Sequence, residues 1–293
     1  MDNNIFSGLE NLGFTNADNL NIYEKKEENK NQLNTPKGGK IDPNNLLYDK
    51  TITCPICGNI FKARSVKTSS YRIINKSSDF FINYSIVNPY FYDVWLCNSC
   101  GYAAMKTDFP KIKESQKELI QKHITAKWNS KSYPSVYDIN IAIERYKLSL
   151  LNYTILYSPS SKKAMNCLKI AWMYRLLGQT ENEELFIKNA ITGFNDAYIN
   201  ESFPIYTMDK FTMMYLIGEL NRRIGNFDEA LLWLSNVITS LGISQKLKNM
   251  ARDQKDLIVD AKKSSTDSQS ISENLKNIKI QKPKKKGFFS RFF

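Results

Sequence analysis

The chain has 293 residues, 42% of them hydrophobic and 12% aromatic, which is enough apolar material for a core and, by length alone, about two domains. Lys and Arg number 41 against 29 Asp and Glu, a formal net charge of +12 that favours acidic partners such as nucleic acid or an anionic membrane face. The opening MDNNIFSGLENLGF lacks a basic segment followed by an apolar run, and no stretch approaches the roughly 18 apolar residues of a membrane span, so secretion and membrane crossing are not expected.

The expectation is therefore a cytoplasmic protein, where thiols stay reduced and clustered cysteines read as metal ligands before disulfides. Residues 1–43 are rich in Asn, Lys and Glu, show no period of 2 or 3.6, and are expected to be disordered or loosely attached. Residues 44–108 hold four of the five cysteines and many β-branched and aromatic residues. The runs IFKARSV, YRIIN and YFYDVWLC read as strands, the last alternating Phe91, Asp93 and Trp95 with Tyr92, Val94 and Leu96.

From 109 to 263 the period is helical. Pro110 is expected to open a first helix carrying Ile112, Leu119, His123 and Ala126. Asp138 caps a second, with Ile139, Ala142, Ile143, Tyr146, Leu150 and Tyr153. Ser160 caps a third through Ala164, Leu168, Ala171 and Trp172 to Gly178. Thr180 with Glu183 forms a capping-box pattern for a fourth. A fifth runs through Met213, Met214, Ile217, Leu220 and Ile224 to Gly225, and Asn226 with Glu229 starts a sixth that stops at Gly242. Ser244 begins a seventh, through Leu247, Met250, Ala251, Gln254 and Ile258. Residues 264–293 lose the pattern and read as a disordered linker and a basic, phenylalanine-rich tail.

The chemistry lies in C-P-I-C-G, with Cys54 and Cys57, and C-N-S-C-G, with Cys97 and Cys100. Two residues between cysteines let both thiolates face one ion from a tight turn, and the following glycine permits a positive φ there. Two facing knuckles give a closed tetrahedral S₄ shell that suits structural zinc, with iron the poorer fit. The 39 residues between Cys57 and Cys97 exceed a compact ribbon and imply inserted strands, with Phe61 and Trp95 packed beside the metal.

MYLIGELNRRIGNFDEALLWLSNVITSLG has small residues at Gly218, Gly225 and Ala230, as in a tetratricopeptide unit. CLKIAWMYRLLG looks like a degenerate copy, with Ala171, Tyr174 and Gly178 matching Gly218, Asn221 and Gly225 at a spacing of 47 rather than about 34. An irregular repeat array and a plain helical bundle both fit; the array would offer a concave face for an extended peptide.

Single residues carry less. His123, the one histidine, is expected in a core or boundary position, Cys167 as a buried thiol, Met213 and Met214 as core filling, and Asp79, Asp93 and Asp108 as scattered turn or strand residues. No nucleophile–base pair, glycine-rich phosphate loop or paired carboxylates stand out, so the sequence supplies no argument for an enzyme. Lys62, Arg64, Lys67, Arg72 and Lys76 are the candidate nucleic-acid contacts. Lys284, Lys285, Lys286 and Arg291 with Phe288, Phe289, Phe292 and Phe293 could touch an anionic leaflet, which would place the protein at the inner membrane face.

The segments YDKTITCPICGNIFKARSV, DFF, NPYFYDVWLCNSCGYAA and LIGELNRRIGNFDEAL together resemble the bacterial family known as domain of unknown function 2225, over about residues 44–260. That resemblance implies a zinc-ribbon-like front, tetratricopeptide-like helices behind, and the four cysteines as metal ligands. It implies no activity, substrate or partner. The expectation is thus an α+β protein: a small zinc-ribbon-like β subdomain followed by an antiparallel, tetratricopeptide-like helical array with disordered termini. Its expected role is that of a non-enzymatic, zinc-stapled adaptor for an unknown protein partner. A nucleic-acid-binding zinc ribbon and a membrane-surface adaptor are the alternatives.

Overall fold

A computed structural model of the chain describes Gly8, residues 10–13 and residues 42–279; of residues 264–279 it describes the helical backbone alone. The front is built from three antiparallel strand pairs. β1 (Leu47–Thr53) pairs with β2 (Ile60–Val66), β3 (Ile73–Lys76) with β4 (Ile82–Tyr84), and β5 (Val94–Leu96) with β6 (Ala103–Met105). The first and third hairpins each have a Cys-x-x-Cys turn at the tip, and the second is the insertion implied by the long spacing.

One strand was not expected, and one strand expectation needs correction. IFKARSV is β2, but its partner LYDKTIT did not stand out, because its alternation of charge and hydroxyl leaves only Leu47 buried. YFYDVWLC is not one strand: Pro89–Tyr92 form a 3₁₀ turn, and only Val94–Leu96 extend. Asn88 caps that turn by accepting from the Tyr90 N–H at 3.0 Å, and Pro89 sits at its first position, where its fixed φ suits a helical start.

Among the described residues seven α-helices follow: α1 (Glu114–His123), α2 (Ile139–Ile155), α3 (Ser160–Leu176), α4 (Thr180–Asn200), α5 (Lys210–Arg223), α6 (Phe227–Thr239) and α7 (Gln245–Lys279). Pro110 does not open α1. It lies in a turn where Phe109 N–H bonds back to Met105 and Lys111 N–H to Asp108. Asp138 caps α2 as expected, accepting from Ile141 N–H at 2.8 Å. Ser160 and Thr180 are the first helical residues rather than caps, and the N-cap residues Pro159 and Gln179 make no side-chain cap bond. The N–H and hydroxyl of Ser161 donate instead to Glu201, beyond the end of α4. Asp209 caps α5 through Thr212 N–H at 2.7 Å.

α3 with α4 and α5 with α6 form consecutive antiparallel pairs, each closed by a three-residue turn. Gly178 and Gly225 end the first member of each pair with φ +66° and +77°. Behind them Gln179 N–H reaches Tyr174 O and Asn226 N–H reaches Asn221 O, the same six-to-one closure at both turns. The sequence correspondence of Tyr174 with Asn221 and Gly178 with Gly225 is thus realised in the backbone.

The main core does not stop at the change of secondary structure near residue 108. Cys54, Phe81, Trp95 and Phe109 belong to one apolar cluster with Tyr146, Trp172, Phe194 and Leu220. Within the segment expected to lack structure, Leu12 joins this core, and its carbonyl accepts from Asn129 N–H at 3.0 Å. At the other end α7 runs past residue 263 to Lys279, through the stretch expected to be a linker. No helix among the described residues is long and apolar enough to cross a membrane.

Candidate metal centre and the ion pairs around it

The two knuckles have matching backbones. Cys54 N–H donates to Asn59 O at 2.9 Å and Gly58 N–H to Cys54 O at 3.0 Å; Cys97 N–H donates to Tyr102 O at 2.9 Å and Gly101 N–H to Cys97 O at 2.8 Å. Gly58 and Gly101 adopt φ +73° and +75°, the left-handed geometry that lets each turn close under its sulfurs. At Gly101 a second constraint applies, since a Cβ there would stand 2.7 Å from the Trp128 indole.

The hairpins bring the four sulfurs within 4.8 Å of one another, with Cys54–Cys100 and Cys57–Cys97 each at 3.6 Å. A tetrahedron of sulfurs about 2.3 Å from zinc has edges of about 3.8 Å, so the donor set matches the size of one such ion. Cys54, Cys97 and Cys100 are buried and Cys57 is exposed. Left to one another the thiols do not ionise together. Hydrogen bonds from Cys100 and Cys54 pull Cys97 down to about 2, whereas contacts with Cys54 and Cys97, together with burial, push Cys100 far up. A cation held among the sulfurs would favour the thiolate form of its ligands.

The surroundings hold the second knuckle firmly. Thr125 Oγ1 donates to Cys100 O at 3.0 Å, and Trp128 Nε1 to Asn98 O at 2.8 Å. Phe61 and Trp95 both make T-shaped contacts with Phe109, with centroids at 5.8 and 5.9 Å, so Phe109 links the two hairpins.

Three carboxylates that looked like scattered turn residues are instead buried ties between the β part and the helices. Asp79, at the tip of the β3–β4 hairpin, receives Arg175 on both oxygens at 3.2 and 2.7 Å, and Trp172 Nε1 at 2.9 Å. Arg223 stands 3.6 Å away. Burial would raise the Asp79 carboxyl, but these cations and donors outweigh it and hold it below the usual range. Asp93 lies between Lys106, at 2.7 Å, and Lys169 of α3, and is likewise held low against its burial. Asp108 pairs with Lys162 at 2.9 Å and accepts from Tyr153 at 2.8 Å.

The hairpin tip fills part of the face formed by α3 and α5. Ser78 Oγ donates to Glu219 at 2.6 Å, Tyr215 OH donates to Ser78 O at 3.0 Å, and Phe81 packs 5.3 Å from Trp172. Phe80, at φ +70°, lies against Tyr215. A cavity of about 310 Å³ remains on one side of Phe80, lined by Leu168, Trp172 and Leu216. One of about 670 Å³ remains on the other, lined by Tyr215, Ile243, Leu247 and Met250.

The five basic residues suggested for nucleic acid spread from the β1–β2 hairpin to the β3–β4 tip. Lys62 is exposed. Arg64 is bound to Asp49, Asn44 and Ser135 O, Lys67 to Asn45 O, and Arg72 to Ser69 O and Tyr71 O. Lys76 stands over the Phe80 ring. The tail residues suggested for a membrane face lie outside the described residues. His123 is exposed in the last turn of α1, not in the core or at its boundary, because the stripe of α1 is carried by Ile120 instead. Cys167 and Met213 are fully buried.

No solved structure matches the chain. An uncharacterized protein of Borreliella burgdorferi is 23% identical over 273 residues, covering 78% of this chain and 96% of that protein. The knuckles, the aromatic strand between them and the helical pairs all lie within residues 47–258, the span matched by the family described as uncharacterized protein conserved in bacteria, domain of unknown function 2225, and the chain belongs to that family.

Proposed function

We propose that Cys54, Cys57, Cys97 and Cys100 hold one structural zinc ion, and that the chain is a non-enzymatic adaptor whose helical array binds a partner protein. Four thiolates complete the shell of zinc and leave no position for a substrate or a reactive water. The interaction reading rests on the cavity of about 670 Å³ between the hairpin tip, α5 and the start of α7. There the described residues leave a cavity open, with apolar Phe80, Leu247 and Met250 beside Lys76, Lys246, Asp209 and Asp253. Seating an amphipathic segment of a partner in an apolar groove is a recurring mode of protein recognition.

Metal analysis of purified full-length protein should find about one zinc per chain, and Cys97→Ser should lose it. For the adaptor reading, full-length protein would be used to capture partners from native cells. Leu247→Glu and Met250→Glu should each remove a defined set of partners, while Lys62→Glu on the distant β2 strand should retain it. An identical set with all four proteins would overturn the placement of the binding surface on the array.

A further inference from the structure

A smaller cavity, of about 280 Å³, opens where the β1–β2 hairpin, the Pro89 turn and the β5–β6 hairpin meet. Its walls are aromatic: Tyr48, Tyr71, Tyr92 and Trp95. Its charged residues are Lys50 and Lys106, and no carboxylate lines it. Lys50 Nζ stands 5.3 Å from the centre of the Trp95 ring and has no anionic partner among the described residues. Lys106 shares its partner, Asp93, with Lys169, so two ammonium groups face one carboxylate and a net positive charge is left over. Trp95 is buried, and its indole N–H meets no acceptor among the described residues. Ser65 and Thr68 add hydroxyls.

Every one of these features asks for the same complement. Two lysines facing one carboxylate and a free ammonium call for an anion, and the aromatic walls call for a flat ring. At about 280 Å³ the space lies at the small end of ligand pockets, which run from roughly 300 Å³, and suits a small ligand that carries a flat base and one anionic group. We propose that this cavity binds a nucleoside monophosphate, with the base between the aromatic side chains and the phosphate on Lys50 and Lys106. None of the four cysteines and none of the residues around the array groove lines this cavity, and the proposal needs no protein partner.

The test is calorimetric titration of the full-length, metal-replete protein with AMP, UMP, adenosine and inorganic phosphate. At least one nucleotide should bind saturably, and more tightly than either adenosine or phosphate. Lys50→Ala should weaken that binding about tenfold or more, as loss of a charge-assisted contact requires, without lowering the melting temperature. Lys50→Arg should restore most of it. No saturable binding of either nucleotide would overturn the proposal. Equal affinity for adenosine would remove the anion contact, equal affinity for phosphate would remove the ring contact, and unchanged binding by Lys50→Ala would remove the site; each overturns it as well.

Discussion

Asp79 is fully withdrawn from water, so its charge is tolerable only because Arg175 grips both oxygens and Trp172 and Arg223 face the same group. Removing one partner of such a pair leaves the others buried and uncompensated. Asp79→Ala should therefore lower unfolding free energy by about 3 kcal/mol or more in a urea titration, although the side chain itself is small. The same group predicts a pH dependence. Its carboxyl is held below the ordinary value in the fold, as is that of Asp93, so unfolding takes up protons. The stabilisation is complete above the unfolded-state value near 4 and is lost as pH falls through the lower folded-state values. Urea midpoints of the wild type should drop on acidification below about pH 4, and Asp79→Asn should show a shallower drop. A slope identical in both proteins would mean that Asp79 titrates alike in the folded and unfolded chain. None of this was legible in KSSDFF, which reads as a plain turn. The partners Arg175 and Trp172 lie more than ninety positions downstream, and a single sequence carries no sign of which distant cations a loop will meet. His123 went the opposite way: an apolar-looking helical face suggested burial, but only one residue of α1, Ile120, is buried.

At the scale of elements, the legible features were those set by local chemistry. Cys-x-x-Cys-Gly fixed the knuckle turns, glycine fixed the ends of α3 and α5, and Asp138 fixed the start of α2. Gly218 and Gly225 separate two reasons for choosing glycine. At Gly225 a Cβ would meet nothing within 4 Å, so Gly225→Ala should cost only the left-handed strain, about 1 kcal/mol, with Gly225→Asn milder still. At Gly218, inside α5, a Cβ would lie 2.9 Å from Leu234 Cγ and 3.2 Å from Trp233 Cβ, where α6 crosses. Alanine there gains about 1 kcal/mol of helix propensity against that crowding, whereas valine cannot be accommodated and should cost about 2–3 kcal/mol. Thermal melts of Gly225→Ala, Gly218→Ala and Gly218→Val would check this order. If Gly218→Val melted with the wild type, α5 and α6 would not cross as closely as the contact of Gly218 with Leu234 requires. What failed to show at this scale were features decided by tertiary packing: β1, whose side chains are mostly exposed, and the 3₁₀ turn hidden in an aromatic run that otherwise resembles a strand.

The molecule as a whole has one property that neither half announces. The cysteine hairpins and the helices share a core, and direct bonds cross between them: Arg145 of α2 donates to Val94 O at 2.7 Å, and Tyr153 OH accepts from Met105 N–H at 3.1 Å. The change in composition near residue 108 marks a change of secondary structure, and periodicity does not report which faces will be buried together. The consequence concerns the proposed zinc. In an isolated zinc finger, loss of metal unfolds only the finger, whose ligation energy of about 10–16 kcal/mol is its folding energy. Here the second knuckle is held by Thr125 and Trp128, and β5–β6 lies on α2, so loosening the sulfurs uncovers apolar surface of the helices as well. Chelation, or Cys100→Ser at a buried ligand, should therefore lower the melting temperature of the helical signal in far-ultraviolet circular dichroism, and tryptophan fluorescence should melt at the same reduced temperature. Cys57→Ser, at the exposed ligand, should act in the same direction but less, since water can solvate what the metal leaves. Helices that kept their melting temperature after the metal was gone would show that the array folds alone, and that the shared core contributes little to its stability.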